Sequence, residues 1–210
     1  MFVTYIVPLS ILLPIFLGLI NLKQLWDGPK ILLYYLLSSG LINLAAILLV
    51  RFGIKNNLPL LHLYTIVEAV LLLSYLRTLF DDHRIKKIIL YTTILFPLLC
   101  IVNFSFIQSI FTFNTYTRPL EAILITFFCM LYLYKNGVTE NWLKKPYSWF
   151  NMGILIYFPV ACIIFILSNY MVFVGKNKIL NSMIWDIHAG LSMLMYVLWA
   201  KGFSLIKNDR

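Results

Sequence analysis

An all-α integral membrane protein is the fold class the sequence predicts: a bundle of seven transmembrane helices, N-terminus outside and C-terminus inside. Three observations lead there. Of 210 residues, 61% are hydrophobic and 12% charged, with a mean hydropathy of +0.88, where a soluble domain carries roughly a quarter charged residues. Apolar runs long enough to cross a hydrocarbon core of roughly 30 Å recur seven times. The basic residues collect in alternate connections. This composition excludes a soluble globular domain, a disordered chain and a coiled coil, and 3 cysteines are too few for a disulfide scaffold. Seven spans leave no stretch for a soluble domain, so residues 1–210 read as one membrane domain.

The runs cover residues 2–22, 31–50, 59–80, 88–106, 116–134, 150–168 and 183–200. Only a helix satisfies its own backbone groups within one such segment, and no period-2 alternation of the barrel-strand kind is present. The first run has no basic leader and no small-x-small cleavage site, so it is read as a retained helix and not a signal peptide. Pro59 and Pro119 suit the first turns of the third and fifth helices, where no N–H is required. Cys100, Cys129 and Cys162 fall one each in runs four to six, without a CxxC, and read as small buried hydrophobes.

Orientation follows from the positive-inside rule. With the N-terminus outside, twelve basic residues fall inside (Lys23, Lys30, Arg77, Arg84, Lys86, Lys87, Lys135, Lys144, Lys145, Lys201, Lys207, Arg210) and five outside (Arg51, Lys55, Arg118, Lys176, Lys178). Trp26, Trp142, Trp149 and Trp199 sit at inner ends and Trp185 at an outer one, as interfacial anchors do. The net charge of +9 is this same signal. His83, Arg84, Lys86, Lys87 and the Lys144–Lys145 pair would lie against anionic lipid headgroups, and no aromatic-interleaved basic loop suggests nucleic acid. Frequent Lys, Asn and Ile with short loops point to a bacterial inner membrane.

An ionisable group at membrane depth costs a few kcal/mol, so its position is informative. Five of the eight acids, Asp27, Asp81, Asp82, Glu140 and Asp209, fall in inside loops or the tail. Glu68, Glu121 and Asp186 lie within runs three, five and seven. Glu68 stands 13 positions before Asp81, Glu121 14 before Lys135 and His188 13 before Lys201. At 1.5 Å per residue these positions share one depth, about 20 Å from the inner face and in the outer half. His62, Tyr64 and Arg118 lie on the same helices, and Asn43 and Asn103 come from helices two and four. Tyr64 and Glu68 (i, i+4) share a face, as do Arg118 and Glu121 (i, i+3), the latter a natural ion pair. Asp186 and His188 diverge around their helix; Trp185, His188 and Ser192 share one side, and Asp186, after Ser182, suits a helix cap. Glu68-Ala-Val-Leu, Glu121-Ala-Ile-Leu and His188-Ala-Gly-Leu align at the common depth, the pattern of a repeated hairpin.

The bland reading of this layer is helix-to-helix glue. The favoured reading is non-enzymatic: an outward-facing polar and acidic pocket in a transporter, channel-like or receptor-type protein for a cation, proton or small molecule. Glu68 and Glu121 form its acidic core, Arg118 and His188 tune its charge, and Tyr64, His62, Asp186, Asn43 and Asn103 complete it. No cofactor is required. A second reading is a lipid hydrolase with zinc drawn from His62, His188, Glu68, Glu121 and Asp186, though no HExxH spacing supports it. A third is an effector or accessory subunit acting through oligomerisation or pore formation, with the aromatic- and Thr-rich stretch 107–117 as partner surface or interfacial helix. The partners implied are the bilayer, anionic headgroups and a small molecule or ion, with room for a homo-oligomer and no role for nucleic acid.

Prolines at 8, 14, 97 and 159 and the hairpin layout give the chain a likeness to the sugar-transporting SWEET and PQ-loop proteins, which stops at layout because no Pro-Gln pair occurs. It lacks the mid-helix Lys of retinal proteins in run seven, where Lys201 stands at the inner end. It also lacks the His-x-x-x-His pair of alkaline-ceramidase-like hydrolases, having His188 alone. No residue roles carry over from these families.

Overall fold

A computed structural model describes residues 6–54, 56–137, 140–175 and 178–206. Lys55, Lys176, Lys207, Asp209, Arg210 and the start of the first run (2–5) lie outside them. The described residues form helices α1 (Val7–Ile20, interrupted at Ile11), α2 (Asp27–Arg51), α3 (Leu58–Thr78), α4 (His83–Val102), α5 (Thr117–Asn136), α6 (Pro146–Asn169) and α7 (Lys178–Leu205). Single π turns extend α4 at Asn103–Ile107 and α6 at Tyr170–Val174. Six helices, α2 to α7, have the length and apolarity to cross a membrane, and α1 is shorter. The chain thus has the make-up of a helical integral membrane protein.

Several helices outrun the apolar segments that announce them. α4 and α7 each begin five residues early, and α7 ends five residues late. Hydropathy marks the most apolar stretch, whereas the backbone continues through the polar first turns of α4 and α7 and, past Ala200, through Gly202 and Phe203, which are buried against Phe150. One consequence corrects the sequence reading: Asp186 lies two turns inside α7, exposed, with Ser182 Oγ 3.5 Å away, and caps nothing.

Helices α1, α2, α3, α5, α6 and α7 close into a ring, each packed on the next and α7 on α1, while α4 stands outside against α3. We call the end formed by the α2–α3, α4–α5 and α6–α7 connections the upper end. Large apolar side chains cover the outer surface, among them Leu41, Leu44 and Leu48 on α2 and Ile94, Leu95 and Leu98 on α4. This inverts the soluble pattern and suits a lipid environment.

The lower half of the ring is packed tightly. Trp199, predicted as an interfacial anchor, is fully buried at its centre and donates Nε1 to Phe150 O at 2.9 Å. It fits because Gly153 faces it: a Cβ there would meet Trp199 Nε1 at 2.6 Å. Gly202 yields in the same way to the Phe150 ring, the small-residue packing that brings membrane helices close. Tyr75 donates to Asn151 Oδ1 at 3.0 Å with both residues fully buried, so polar chemistry is not confined to the one layer the sequence suggested. Cys100 and Cys129 are buried, Cys162 is half-buried, and all three are free.

At the lower end Asp82 caps α4, accepting the Arg84 and Ile85 N–H groups at 2.9 and 3.4 Å, and its Oδ2 accepts Lys135 Nζ at 3.0 Å. The Lys135 bond, followed by the backbone donors, holds this carboxyl below its usual range. A depressed carboxylate contributes stability that is present above the unfolded pKa, about 4, and lost as pH falls through the folded value. Thermal melts of Asp82→Asn should therefore show a flatter acid limb than the parent; an unchanged limb would exclude Asp82 from the acid response.

Candidate functional site

The site begins with the start of α5. Asn114 is buried, and its Oδ1 accepts N–H groups from Thr117 at 3.0 Å and Arg118 at 3.3 Å, while its Nδ2 donates to Thr65 Oγ1 at 3.2 Å on α3. A short polar side chain satisfying first-turn donors is what a helix start requires. Here it also anchors the segment 108–116 to α3. His62 Nε2 lies 3.1 Å from Thr112 O, Asn56 Nδ2 donates to Phe111 O, and Asn169 brackets Phe113 through its N–H and carbonyl, both at 3.0 Å. Of the two readings of this stretch, partner surface or interfacial helix, the helix does not form: residues 108–116 are a non-helical strap held into the mouth of the ring. Asn114→Ala should cost about 0.5–2 kcal/mol, measured by thermal or denaturant unfolding in detergent; no loss would remove Asn114 from the support of Arg118.

Because the strap dips inward, α5 starts deep, and Arg118 in its first turn meets the middle of α3. Glu68 is the eleventh of 21 residues of α3. The Arg118 guanidinium contacts Glu68 Oε2 and donates to Glu121 Oε2 at 2.7 Å, with all three side chains no more than 4% exposed. Two carboxylates against one guanidinium leave this cluster without net positive charge. Tyr35 from α2 donates to Glu68 Oε1 at 2.6 Å, and Tyr64 donates to the same oxygen at 3.1 Å. The two tyrosine hydroxyls are 2.9 Å apart, and Ser39 Oγ is 3.1 Å from that of Tyr64. The guanidinium lies over the Tyr64 and Phe165 rings, 5.2 and 5.1 Å from their centroids.

Above this cluster opens a cavity of about 400 Å³ at the upper end. Arg118 forms part of its floor; Glu68 and Glu121 lie behind the arginine and not on the wall. Tyr157 and His188, joined OH to Nε2 at 2.9 Å, form one side with Ser192 and Tyr196. Trp185 stacks on Phe113 at 5.4 Å and packs against Phe165 at 6.0 Å, closing an aromatic wall. Apolar side chains of α1 and α2, Ile11, Ile42 and Ala46, complete the opposite wall.

The structure brings Glu68, Glu121, Arg118 and Tyr64 together and places His188 beside them through Tyr157. Asn43 is on the cavity wall, donating to Ser39 O at 3.0 Å. Three expected members stand elsewhere: His62 holds the strap, Asn103 is buried in the π turn of α4 beside Gln108, and Asp186 is exposed on the far face of α7. The five residues considered for zinc do not converge, and among the described residues no three His, Cys, Asp or Glu side chains form a metal-ligand group. No family model matches the chain, and neither a curated protein nor a solved structure does. Sequence reasoning missed Tyr35, Ser39, Asn114, Tyr157 and Tyr196. Asn114, three residues ahead of Thr117, carried a cap signal, and the tyrosines carried the signal of hydroxyls within apolar runs.

Proposed function

We propose that the protein is a seven-span membrane protein of the inner membrane, N-terminus outside, whose upper cavity binds a small molecule in a receptor- or carrier-type role. The membrane placement draws on the six long apolar helices and the lipid-suited outer surface. The seventh span is assigned to the first apolar run, whose described part is the shorter helix α1, and the orientation draws on the inside bias of basic residues. The single observation that carries the binding reading is the cavity itself: apolar and aromatic walls around a small set of convergent polar groups, the usual composition of a ligand site. Arg118, Tyr157, His188 and Ser192 supply hydrogen bonds at its base and side.

The electrostatics narrow the ligand. The charge of Arg118 is already met by Glu68 and Glu121, so the floor offers donors without excess positive charge. That favours a neutral head that accepts hydrogen bonds, on an aromatic or aliphatic body, over an anion. The test compares phenylacetamide, phenylacetate and phenethylamine, one body with three heads, as thermal stabilisers of the detergent-purified protein. A saturable rise in melting temperature is expected for the amide, and Ser192→Phe, which fills the cavity, should abolish it. An equal response in Ser192→Phe, or no saturable response to any of the three, would count against a ligand site and leave the polar cluster as helix-to-helix glue. A response to the amine alone would restore the cation reading.

A further inference from the structure

We propose that a groove at the lower end of the bundle, formed by α2, α3 and α4, binds the phosphate headgroup of an anionic phospholipid. The inference rests on the membrane placement proposed above and is independent of the upper cavity. The groove encloses about 790 Å³, and its lining includes Lys30 from α2, Arg77 from α3 and Lys86 from α4. Its existence follows from the topology: α4 stands outside the ring against α3, so its first turns and the first turns of α2 flank the lower end of α3.

Three cations from three helices face this space, and among the described residues Asp27 is the one acid on its lining. None of the three cations is in an ion pair among the described residues, where Arg118 and Lys135 supply every such contact. Lys30 and Lys86 are half-buried, and taking an ammonium partly out of water without a counter-charge is unfavourable. An anion in the groove supplies that counter-charge. A phosphate group carries the acceptor oxygens that lysine and arginine both engage.

The rim selects a lipid over a soluble phosphate. Trp26 and Tyr34 edge the groove, Tyr34 being 55% exposed, the aromatic types that settle at headgroup level. Beyond them the flanking helices present exposed apolar side chains, Leu41 on α2 and Ile88 and Tyr91 on α4, where acyl chains would lie. Basic pockets between transmembrane helices at the interface are the recurrent sites for such headgroups.

Native mass spectrometry of the detergent-purified full chain tests this with phosphatidylglycerol, phosphatidylcholine and inorganic phosphate as separate probes. Preferential retention of phosphatidylglycerol is expected, weakened about fivefold for each basic side chain replaced in the series Lys30→Gln, Arg77→Gln and Lys86→Gln. The control combines Arg84→Gln, Lys87→Gln and Lys144→Gln, which removes the same charge at the same end outside the groove, and should retain the lipid. Should the combined groove variant not fold, Lys86→Gln alone carries the test. Equal loss in groove and control variants would overturn the proposal in favour of diffuse charge. So would equal retention of the two lipids, or inorganic phosphate binding as well as phosphatidylglycerol. Failure of the protein to float with lipid vesicles would instead overturn the membrane placement on which the groove reading depends.

Discussion

Arg118→Ala should lower the stability of the protein by about 3–5 kcal/mol, the largest effect expected of any single substitution in the upper cluster. The arginine is the shared partner of Glu68 and Glu121 at a place with almost no solvent access. Removing it strands two carboxylates within one small volume, and neither Tyr35 nor Tyr64 supplies charge to replace it. Most of the penalty is the cost of unpaired buried charge and not the value of the contacts themselves. Combining Arg118→Ala with Glu68→Gln and Glu121→Gln should therefore recover most of the loss. Equilibrium unfolding in mixed micelles measures both. If the combined variant is no more stable than Arg118→Ala alone, the cluster is not held together by charge balance.

Trp199→Ala is expected to cost about 3–5 kcal/mol as well, for a different reason. The indole fills the centre of the lower half, stacks edge-on against Tyr35 at 5.4 Å and occupies the space left by Gly153. Its removal opens a cavity that packed helices cannot close. Gly153→Ala attacks the same contact from the other side and should cost about 1–3 kcal/mol by overpacking. Because the two positions touch, Gly153→Ala combined with Trp199→Phe should lose less than the sum of its parts. Strict additivity would mean that Gly153 is not there to admit the indole.

Much of the architecture was legible in the sequence because membrane burial demands long apolar runs, and those runs are the helices. The Arg118–Glu121 and Tyr64–Glu68 pairs were legible for a similar reason: i, i+3 and i, i+4 spacing places side chains on one face whatever the tertiary structure. What the runs could not carry was the order of helices around the ring. Tyr35 reaches Glu68 only because α2 packs on α3, and Tyr157 reaches His188 only because α6 packs on α7. Grouping residues by outer-half depth also misled for Asn103. Depth places a residue in a layer but not on the inside of the ring, and α4 lies outside it. The strap was missed because part of its order comes from side chains distant in sequence, Asn56, His62 and Asn169, bonding to its backbone, beside the local bonds of Gln108 and Asn114.

The central claim, a ligand cavity open at the outer end of the bundle, is tested most directly by thiol accessibility. Ser192 lies on the cavity wall. In sealed cells expressing Ser192→Cys, a membrane-impermeant maleimide added outside should label Cys at this position, located by peptide mass spectrometry, and phenylacetamide should slow the labelling. Labelling only after denaturation, or only when the reagent is given access to the inner side, would contradict the account.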